Sequence, residues 1–468
     1  MKKCKYFGTD GIRGVVGQNF DADLVTRTAN AVAVYISKRP AKVIIGIDTR
    51  ASCDSIEHIL AGTLAYYGID VVSVGVIPTA ALSYLAKELG ADLGMMITAS
   101  HSPTKYNGIK IVNSLGEKLP QDATIVLDAL IAKHAKPLAV AEKVGRITKD
   151  LKAIKLWQNY LIKHFRKLVK PGTKIAIDCA FGSGTECARE VLHALGLHVT
   201  FYNDKPTGFN INDGCGATKP AYMNAAMKCH GDASVKGTYQ NDTKCHLIRP
   251  LDTVFDIGFA FDGDADRCII FDADGNHIHG DIVIYLLAKH LKDKGRLAKN
   301  KIAGTILFNL GIEKNLNREG IEMVRTDVGD AYVYNALKTQ GLSMGGETSG
   351  HINIPEILCT GDGLIVALMV LEMLNSQNKS FDELSRDVSL YPQININTDA
   401  TPDQKRQLFA DKDFANFVKS KQIEHKDFRI IVRPSGTENI ARVTVEGAET
   451  KACEQIANEI VQKIKEVL

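Results

Sequence analysis

The sequence predicts an α/β fold that ends in a smaller α+β domain. In the first third, short apolar runs alternate with helical patterns, which is typical of buried strands in a mainly parallel sheet. The runs are VIIGID (43–48), DVVSVGV (70–76) and LGMMITA (93–99), with helices expected near 22–37, 55–67 and 79–89. Close to the C-terminus, two adjacent strands and a helix indicate the α+β domain. These are FRIIV (428–432), ARVTVEG (441–447) and the helix over 450–467.

The alternation of strands and helices restarts twice in the middle of the chain. KIAIDCA (174–180) and HVTFYN (198–203) flank a helix near 185–195, and IGFAF (257–261) and CIIF (268–271) precede a helix over 281–293. A chain of 468 residues is too long for one hydrophobic core, so several domains are expected. We place them at 1–152, 153–252, 253–371 and 372–468, with the Lys-rich stretch 132–152 as the exit from the first and 229–253 as an inserted surface loop.

Composition restricts the class of protein. A net charge of +3, without a run of like charges, gives no indication of a nucleic-acid or membrane partner. The longest apolar stretch, 363–374, is too short to span a bilayer and predicts a buried helix. Ten cysteines occur without a CxxC pair, and the first residues contain no apolar signal segment. We therefore expect a cytoplasmic protein without disulfides.

The first candidate motif is ASHSPTKYNGIK (99–110), which directly follows an apolar strand. The carboxyl ends of parallel strands are where α/β sheets present their ligands, so Ser100 stands at a functional position. His101 and Lys110 accompany it. The alternative is a turn whose hydroxyls satisfy their own backbone. A serine hydrolase is disfavoured because the chain has no GxSxG elbow.

The second motif, DGDADR (262–267), lies between two predicted strands. Asp262, Asp264 and Asp266 share one side of an extended chain and can therefore converge. Each pair of carboxylates about 4 Å apart would repel by roughly 4 kcal/mol at an effective dielectric near 20, a cost that a hard divalent cation removes. An EF-hand is excluded because Arg267 and Ala273 replace its glycine and glutamate. A solvated acidic turn is the remaining alternative.

Two further loops can bind polar ligands. GGETSGH (345–351) offers Glu347, Ser349 and His351 to sugar hydroxyls, although a simple loop fits equally well. RPSGTEN (433–439) offers a bidentate guanidinium and a backbone nest for an anion, and its alternative is a tight Pro–Ser–Gly turn. GSGTEC (182–187) lacks the third glycine of a dinucleotide fingerprint, so a nicotinamide dehydrogenase is only weakly indicated.

These four motifs, in this order on an alternating α/β frame, resemble the α-D-phosphohexomutase superfamily from FGTDGIRG (7–14) to RPSGTEN. FGTDGIRG and NINDGCGATKP (210–220) are most similar to the phosphoglucosamine mutase family, which interconverts glucosamine 6-phosphate and glucosamine 1-phosphate for UDP-N-acetylglucosamine synthesis. The resemblance implies three related α/β domains and a smaller C-terminal α+β domain around a central cleft.

The resemblance also implies roles for the motif residues. Ser100 would be a phosphoserine that, with Asp262, Asp264 and Asp266, holds one Mg²⁺ per subunit. Four residues would assist the transfer: Arg13, His101, Lys110 and Arg267. The substrate would be bound by Glu347, Ser349, His351, Arg433, Ser435, Gly436 and Thr437. A sugar bisphosphate would be both intermediate and activator.

Some alternatives stay open within this resemblance. The substrate could be glucose phosphate or mannose phosphate instead of a hexosamine phosphate. The alternative outside the enzymes is a protein that binds sugar phosphates without catalysis. A homodimer is compatible with the family. Three positions depart from its usual residues: Cys53 replaces a glycine, Ser102 the asparagine of SHNP and Ala331 the arginine of VGDRY. Of these three departures, only Ala331 affects the contacts expected with the substrate.

Overall fold

The computed structural model describes residues 4–8, 10–137, 143–228, 254–435 and 439–468. The predicted insertion 229–253 and the loop residues Gly436 and Thr437 lie outside these ranges. The chain divides into two compact units, the first comprising residues 1–306 and 324–385 and the second comprising 307–323 and 386–468.

The first unit begins with a seven-stranded mixed sheet. The strands are β1 (Phe7–Gly8), β2 (Gly11–Val15), β3 (Ala41–Ile47), β4 (Ile69–Val76), β5 (Leu93–Ile97), β6 (Tyr106–Asn113) and β7 (Ile147–Lys149), in the order β1-β2-β6-β5-β3-β4-β7. Three of them, β3, β4 and β5, were predicted from their apolar runs and pair in parallel at the centre. β3 and β5 are buried on both faces, as their nearly continuous apolar sequences predict. The helices are α1 (Ala22–Ile36), α2 (Cys53–Tyr66), α3 (Thr79–Glu88) and α4 (Gln121–Ala132).

The strand β7 is not among the strands predicted from the sequence. This strand lies within the Lys-rich stretch 132–152, which stays the predicted exit from the first domain, and it pairs in parallel with β4 at the edge of the sheet. β7 is three residues long and exposed throughout, so it carries no apolar signal. An exposed polar edge strand cannot be recognised from hydrophobic periodicity.

A second mixed sheet follows in the same unit. Its parallel strands β8 and β10 pair side by side, and a Cβ on Gly263, just after β10, would lie 2.7 Å from the carbonyl oxygen of Ser100. The strands are β8 (Lys174–Asp178), β9 (His198–Tyr202), β10 (Ile257–Phe261), β11 (Cys268–Phe271) and β12 (His277–Ile278), in the order β12-β11-β10-β8-β9. The helices are α5 (Ile154–Phe165), α6 (Thr185–Ala194) and α7 (Ala221–Lys228).

A third sheet has four strands, in the order β14-β13-β15-β16. They are β13 (Lys301–Thr305), β14 (Glu322–Thr326), β15 (Gly345–Gly346) and β16 (Ile352–Asn353). The helices of this region are α8 (Gly280–Asp293), α10 (Asp330–Gln340), α11 (Gly363–Gln377) and α12 (Phe381–Ser385), whereas α9 (Leu310–Arg318), between β13 and β14 in the chain, belongs to the second unit. The apolar stretch 363–374 forms the buried start of α11, as predicted, and Asp362 caps it by accepting the N–H groups of Leu364 and Ile365.

The second unit contains a three-stranded antiparallel sheet. β17 (Gln393–Asp399), β18 (Arg429–Pro434) and β19 (Ile440–Glu446) pair in the order β17-β19-β18, with α13 (Pro402–Ala410), α14 (Lys412–Glu424) and α15 (Thr450–Val467). One face of α15 packs on the sheet through its buried apolar residues. The mixed and antiparallel sheets confirm the predicted fold class. Among the described residues, no helix has the length and hydropathy that crossing a bilayer requires.

Candidate active site

Ser100 lies in the loop that follows β5, at the carboxyl end of a central strand of the first sheet. Its side chain is buried, and its φ of +49° lies in the left-handed region, which costs a residue with a Cβ roughly 1–2 kcal/mol. The Thr98 hydroxyl accepts the Ser100 N–H at 2.9 Å and donates to Asp48 at 2.7 Å. The loop is therefore held by side chains of the sheet in a conformation that it would not adopt alone.

The three aspartates of DGDADR lie in the loop between β10 and β11. All three are buried, and one oxygen from each lies within 4.8 Å of the others. The Ser100 hydroxyl donates to Oδ2 of Asp262 at 2.6 Å, across 162 positions of sequence. The structure thus brings together the two motifs that the sequence placed on separate strands.

The protonation of these carboxyls is governed by burial and by their neighbours. Burial, together with the charges of Asp266 and Asp264, raises the pKa of Asp262 to about 8. Lys110 and His351 outweigh the effect of burial on Asp266 and hold its pKa well below the usual range. Asp262 therefore favours its protonated form at neutral pH, and a further positive charge beside it would favour the ionised form.

The oxygens of this cluster fit a hard divalent cation. Oδ1 of Asp264 and Oδ1 of Asp266 are buried and have no hydrogen-bond partner among the described residues. Unpaired buried carboxylate oxygens are costly, and oxygen ligands of this kind are the ones that Mg²⁺ prefers. The residues present are consistent with the magnesium site that the sequence predicts.

Lys110 lies on β6, opposite Met96 of β5. Its Nζ is within 2.8 Å of carboxylate oxygens of Asp264 and Asp266 and 2.7 Å from Asp10. Burial would lower the pKa of Lys110, but these three carboxylates raise it well above its usual value. Lys110 therefore stays positively charged at neutral pH.

Three other predicted residues, His101, Arg13 and Arg267, surround Ser100. His101 Nδ1 lies 3.3 Å from Ser100 Oγ, and burial and the charges of Arg267 and Arg13 lower its pKa to about 4. Arg13 donates to the Ser102 hydroxyl at 3.3 Å, so the serine that replaces the family's usual asparagine has a polar partner. The backbone N–H of Arg267 donates to Asp262 at 3.3 Å. His101 is consequently neutral at physiological pH.

GGETSGH forms the turn between β15 and β16. The Glu347 N–H donates to the His351 carbonyl at 2.9 Å, and Glu347 Oε1 accepts the N–H of Gly329 at 3.0 Å. His351 is buried, with Nδ1 3.6 Å from Asp266 and Nε2 3.5 Å from Asp330. Ser349 Oγ has no hydrogen-bond partner within the described part of the chain. His351 thus lies against the acidic cluster, whereas Ser349 retains a free hydroxyl.

In the second unit, RPSGTEN begins at the end of β18. Arg433 is the register partner of Arg442 on β19. Burial and the charge of Arg442 lower the pKa of Arg433, and Arg433 Nε has no partner among the described residues. Two neighbouring guanidinium groups favour an anion, and Ser435 follows them with its N–H bonded to the Ile440 carbonyl.

Sequence reasoning missed several residues of these sites. Asp10 and Lys118 extend the ion pairs of Lys110, since Lys118 contacts both Asp10 and Asp330. Arg50 and Asn212 contact the Ser100 loop, as described below. A signal existed for Arg50, which follows β3 just as Ser100 follows β5, and for Asn212, which belongs to the stretch NINDGCGATKP. Asp10 likewise belongs to the motif FGTDGIRG, whereas Lys118 belongs to none of the motifs and its partners are distant in sequence.

Comparison with known proteins identifies related sequences over nearly the whole chain. Three family models of phosphoglucomutase/phosphomannomutase match: the alpha/beta/alpha domain I over residues 4–137, the alpha/beta/alpha domain III over 279–391 and the C-terminal domain over 394–463. Phosphoglucosamine mutase of Dictyoglomus turgidum is 38% identical, covering 98% of this chain and 97% of the relative. That of Thermotoga petrophila is 35% identical, covering 98% of each.

Solved structures share the fold at low identity. A phosphoglucomutase/phosphomannomutase family protein from Burkholderia thailandensis superposes with a TM-score of 0.80 at 22% identity, covering 98% of this chain and 97% of that one. The N-acetylphosphoglucosamine mutase of Aspergillus fumigatus, in complex with GlcNAc-6P and magnesium, gives a TM-score of 0.62 at 19% identity, with 99% and 96% covered.

Proposed function

The chain belongs to the phosphoglucosamine mutase family of the α-D-phosphohexomutase superfamily, and from that premise we propose that it interconverts glucosamine 6-phosphate and glucosamine 1-phosphate. Enzymes of this superfamily are isomerases that act by phosphoryl transfer. The observation that best supports the proposal is the 2.6 Å contact between the Ser100 hydroxyl and Asp262, inside a buried carboxylate cluster paired with Lys110.

Ser100 is the proposed carrier of the phosphoryl group. The bond between phosphorus and Ser100 Oγ breaks while a bond forms to the free hydroxyl of the sugar phosphate. The sugar hydroxyl loses its proton and Ser100 Oγ gains one, so a hexose 1,6-bisphosphate and a free serine result. The bisphosphate then returns its other phosphoryl group to Ser100. The same bisphosphate, added from outside, would prime the enzyme as an activator.

Asp262, Asp264 and Asp266, with the phosphoserine oxygen, are the proposed ligands of one Mg²⁺ per subunit. Bound there, the ion would neutralise charge that develops on the transferring phosphoryl group. The chain's own contribution is the cluster itself, which holds three carboxylates within one small volume. Among the described residues this is the one group of three or more potential metal ligands.

The basic residues around Ser100 have distinct proposed roles. Lys110, Arg13 and Arg267 offer positive charge to phosphoryl oxygens, and nearby carboxylates raise the pKa values of Lys110 and Arg267. His101, with a pKa near 4, instead acts as a neutral hydrogen-bond partner of Ser100 Oγ. Charge neutralisation and alignment are the main requirements of phosphoryl transfer.

Substrate recognition is assigned to the two remaining motifs. Glu347, Ser349 and His351 are the proposed sugar-binding residues, and Ser349 has the hydroxyl that is free among them. The phosphate that is not reacting would bind to Arg433, Ser435, Gly436 and Thr437. Arg442, which faces Arg433 in register, adds a second guanidinium to that anion site. We also propose that the enzyme is cytoplasmic and assembles as a homodimer.

The sugar is decided by one assay. We expect the highest kcat/KM with glucosamine phosphate and slow turnover of glucose and mannose phosphates, because the relatives at 35–38% identity are named phosphoglucosamine mutases. All three sugars are compared at equal phosphoserine occupancy. Equal or better use of glucose or mannose phosphate would contradict the glucosamine assignment. Absence of any mutase activity with a primed enzyme would favour a non-catalytic sugar-phosphate-binding protein.

A further inference from the structure

The carbonyl groups of the Ser100 loop receive an unusual number of side-chain hydrogen bonds. The guanidinium of Arg50, buried in the first sheet, donates through Nη2 to the carbonyls of Ser100 at 3.0 Å and Ser102 at 2.8 Å. Its Nη1 donates to the carbonyls of Pro103 and Tyr106. Asp48 fixes the same guanidinium through Nε at 2.9 Å. Arg50 therefore holds the loop from its own sheet.

Asn212 reaches the same two carbonyls from the loops of the second sheet. Its Nδ2 donates to the Ser100 carbonyl at 2.9 Å and to the Ser102 carbonyl at 3.3 Å. The segment around it is itself anchored on the first sheet's loops: the Gly208 carbonyl accepts the Ala51 N–H at 2.9 Å, and the Phe209 carbonyl accepts the Thr104 hydroxyl at 3.1 Å. The backbone that precedes Asn212 is thus held against the loops of the first sheet.

Asn212 combines an unpaired acceptor with a left-handed backbone. Its Oδ1 is buried without a hydrogen-bond partner among the described residues, which costs free energy of folding. The favourable hydrogen bonds of this side chain are the two that its NH₂ group donates. Its φ of +58° lies in the left-handed region, which asparagine tolerates better than most residues. Both features indicate that the position is constrained by what the NH₂ group binds.

The contact also lies beside the metal loop. A Cβ on Gly263, between Asp262 and Asp264, would come within 2.7 Å of the Ser100 carbonyl oxygen and 2.8 Å of Asn212 Nδ2. The acidic loop, the Ser100 loop and the Asn212 side chain therefore meet with no room for one additional carbon. A displaced Ser100 carbonyl would shift the serine relative to Asp262.

We propose that Asn212 is a positioning residue for phosphoryl transfer, which together with Arg50 holds the Ser100 and Ser102 carbonyls so that Ser100 Oγ stays aligned with the acidic cluster. The inference rests on the proposed role of Ser100 as the phosphoryl carrier. Asn212 contacts the loop backbone and not the reacting atoms, so its removal should slow the transfer and leave sugar binding unchanged.

The test compares Asn212→Gly and Asn212→Asp with the matched control Asn203→Gly. Asn203 also has a left-handed φ, of +51°, but its amide donates to Asp178 of the second sheet and not to the carbonyls of the Ser100 loop. Glycine keeps the backbone conformation and removes the amide, while aspartate keeps the size but presents an oxygen to two carbonyls. We expect kcat to fall roughly 10- to 100-fold in both Asn212 variants, the scale of a misaligned reactant, with KM within about twofold of wild type.

A single-turnover measurement separates positioning from folding. Enzyme labelled with ³²P on Ser100 is mixed with saturating glucosamine 6-phosphate, and the loss of label is followed after normalising for occupancy by intact mass spectrometry. The Asn212 variants should transfer the label slowly, whereas Asn203→Gly should transfer it at the wild-type rate even if its unfolding midpoint falls. The inference would be overturned if both Asn212 variants transferred the label at the wild-type rate, or if Asn203→Gly slowed the transfer as much as they do. Full turnover in Ser100→Ala would instead overturn the proposed function.

Discussion

Ser100 and Arg433 both belong to proposed phosphate sites, but their surroundings differ. Ser100 and Lys110 are held by side chains of the protein: Asp262 accepts a hydrogen bond from the Ser100 hydroxyl, and Lys110 is bound by three carboxylates. Arg433 instead lies next to another arginine, with its Nε unpartnered among the described residues. The first site thus orients its reacting serine through protein contacts, whereas Arg433 keeps a donor that an anion can use. Changes at Ser100 should therefore affect chemistry, and changes at Arg433 should affect binding.

The largest effect is expected from Ser100→Ala. Turnover should fall roughly 10⁴-fold or more, the scale on which enzymes lose activity with their nucleophile. The matched control is Ser83→Ala, because Ser83 is as buried as Ser100 while its hydroxyl has no hydrogen-bond partner among the described residues. Steady-state assays with a bisphosphate activator measure the loss, and mass spectrometry locates the phosphate. Phosphate on another residue, with an active Ser100→Ala enzyme, would refute the mechanism.

Removal of the metal should have the next largest effect. Chelation should stop activity and added Mg²⁺ restore it, and Asp264→Asn should lower kcat by about 10²-fold or more because several kcal/mol of charge stabilisation are lost. Asp272→Asn serves as the control, since Asp272 is also buried but is occupied by Asn276 in a separate turn. Full activity after exhaustive chelation would contradict the metal assignment.

A binding effect is expected at Arg433. Arg433→Ala should raise KM by roughly 10- to 100-fold for the 1-phosphate and the 6-phosphate alike, since a charged hydrogen bond contributes about 1.5–3 kcal/mol. Arg406→Ala, an exposed arginine of α13 paired with Asp403, should change neither constant. Initial rates in both directions provide the comparison. A loss confined to one isomer would exclude a shared phosphate site.

The smallest effect concerns the charge of His101 in the unphosphorylated enzyme. Its pKa is lowered from 6.5 to about 4, chiefly by burial and then by Arg267 and Arg13, so the folded state favours the neutral ring. The resulting stability is fully present above pH 6.5 and is lost as pH falls through 4. NMR titration should find the midpoint near 4, and His101→Asn should lose less stability than wild type between pH 6.5 and 4. A midpoint at or above 6.5 would contradict this environment.

Two aspartates at the ends of strands β3 and β8 lie in similar sequences but have different surroundings. β3 is followed by Asp48, and β8 ends with Asp178, within the similar segments IGID and IAID. Each aspartate accepts the N–H two residues further on at 2.9 Å. Asp48 is paired with buried Arg50, whereas Asp178 has only neutral donors, and burial raises its pKa. One local structure thus supports the Ser100 loop in the first sheet, and in the second sheet it forms a turn whose Ala180 carbonyl accepts the Asn212 N–H at 2.9 Å.

The fold, Ser100 and the three aspartates could be predicted because short segments of the sequence indicate them. Buried parallel strands produce continuous apolar runs, and Ser100 and the three aspartates directly follow such strands. The exposed strand β7 and the left-handed Asn378 that separates α11 from α12 leave no such signal. Contacts such as Asn212 with Ser100 join residues 112 positions apart, so only the folded chain displays them. The four domain boundaries and the roles of individual site residues stay predictions.

The most direct measurement follows the phosphoryl group itself. Enzyme carrying ³²P on Ser100 is mixed with unlabelled glucosamine 6-phosphate and quenched at intervals shorter than one turnover. The account predicts that label leaves Ser100 and passes into glucosamine 1,6-bisphosphate at least as fast as kcat. Product that forms while the label remains on Ser100 would contradict it.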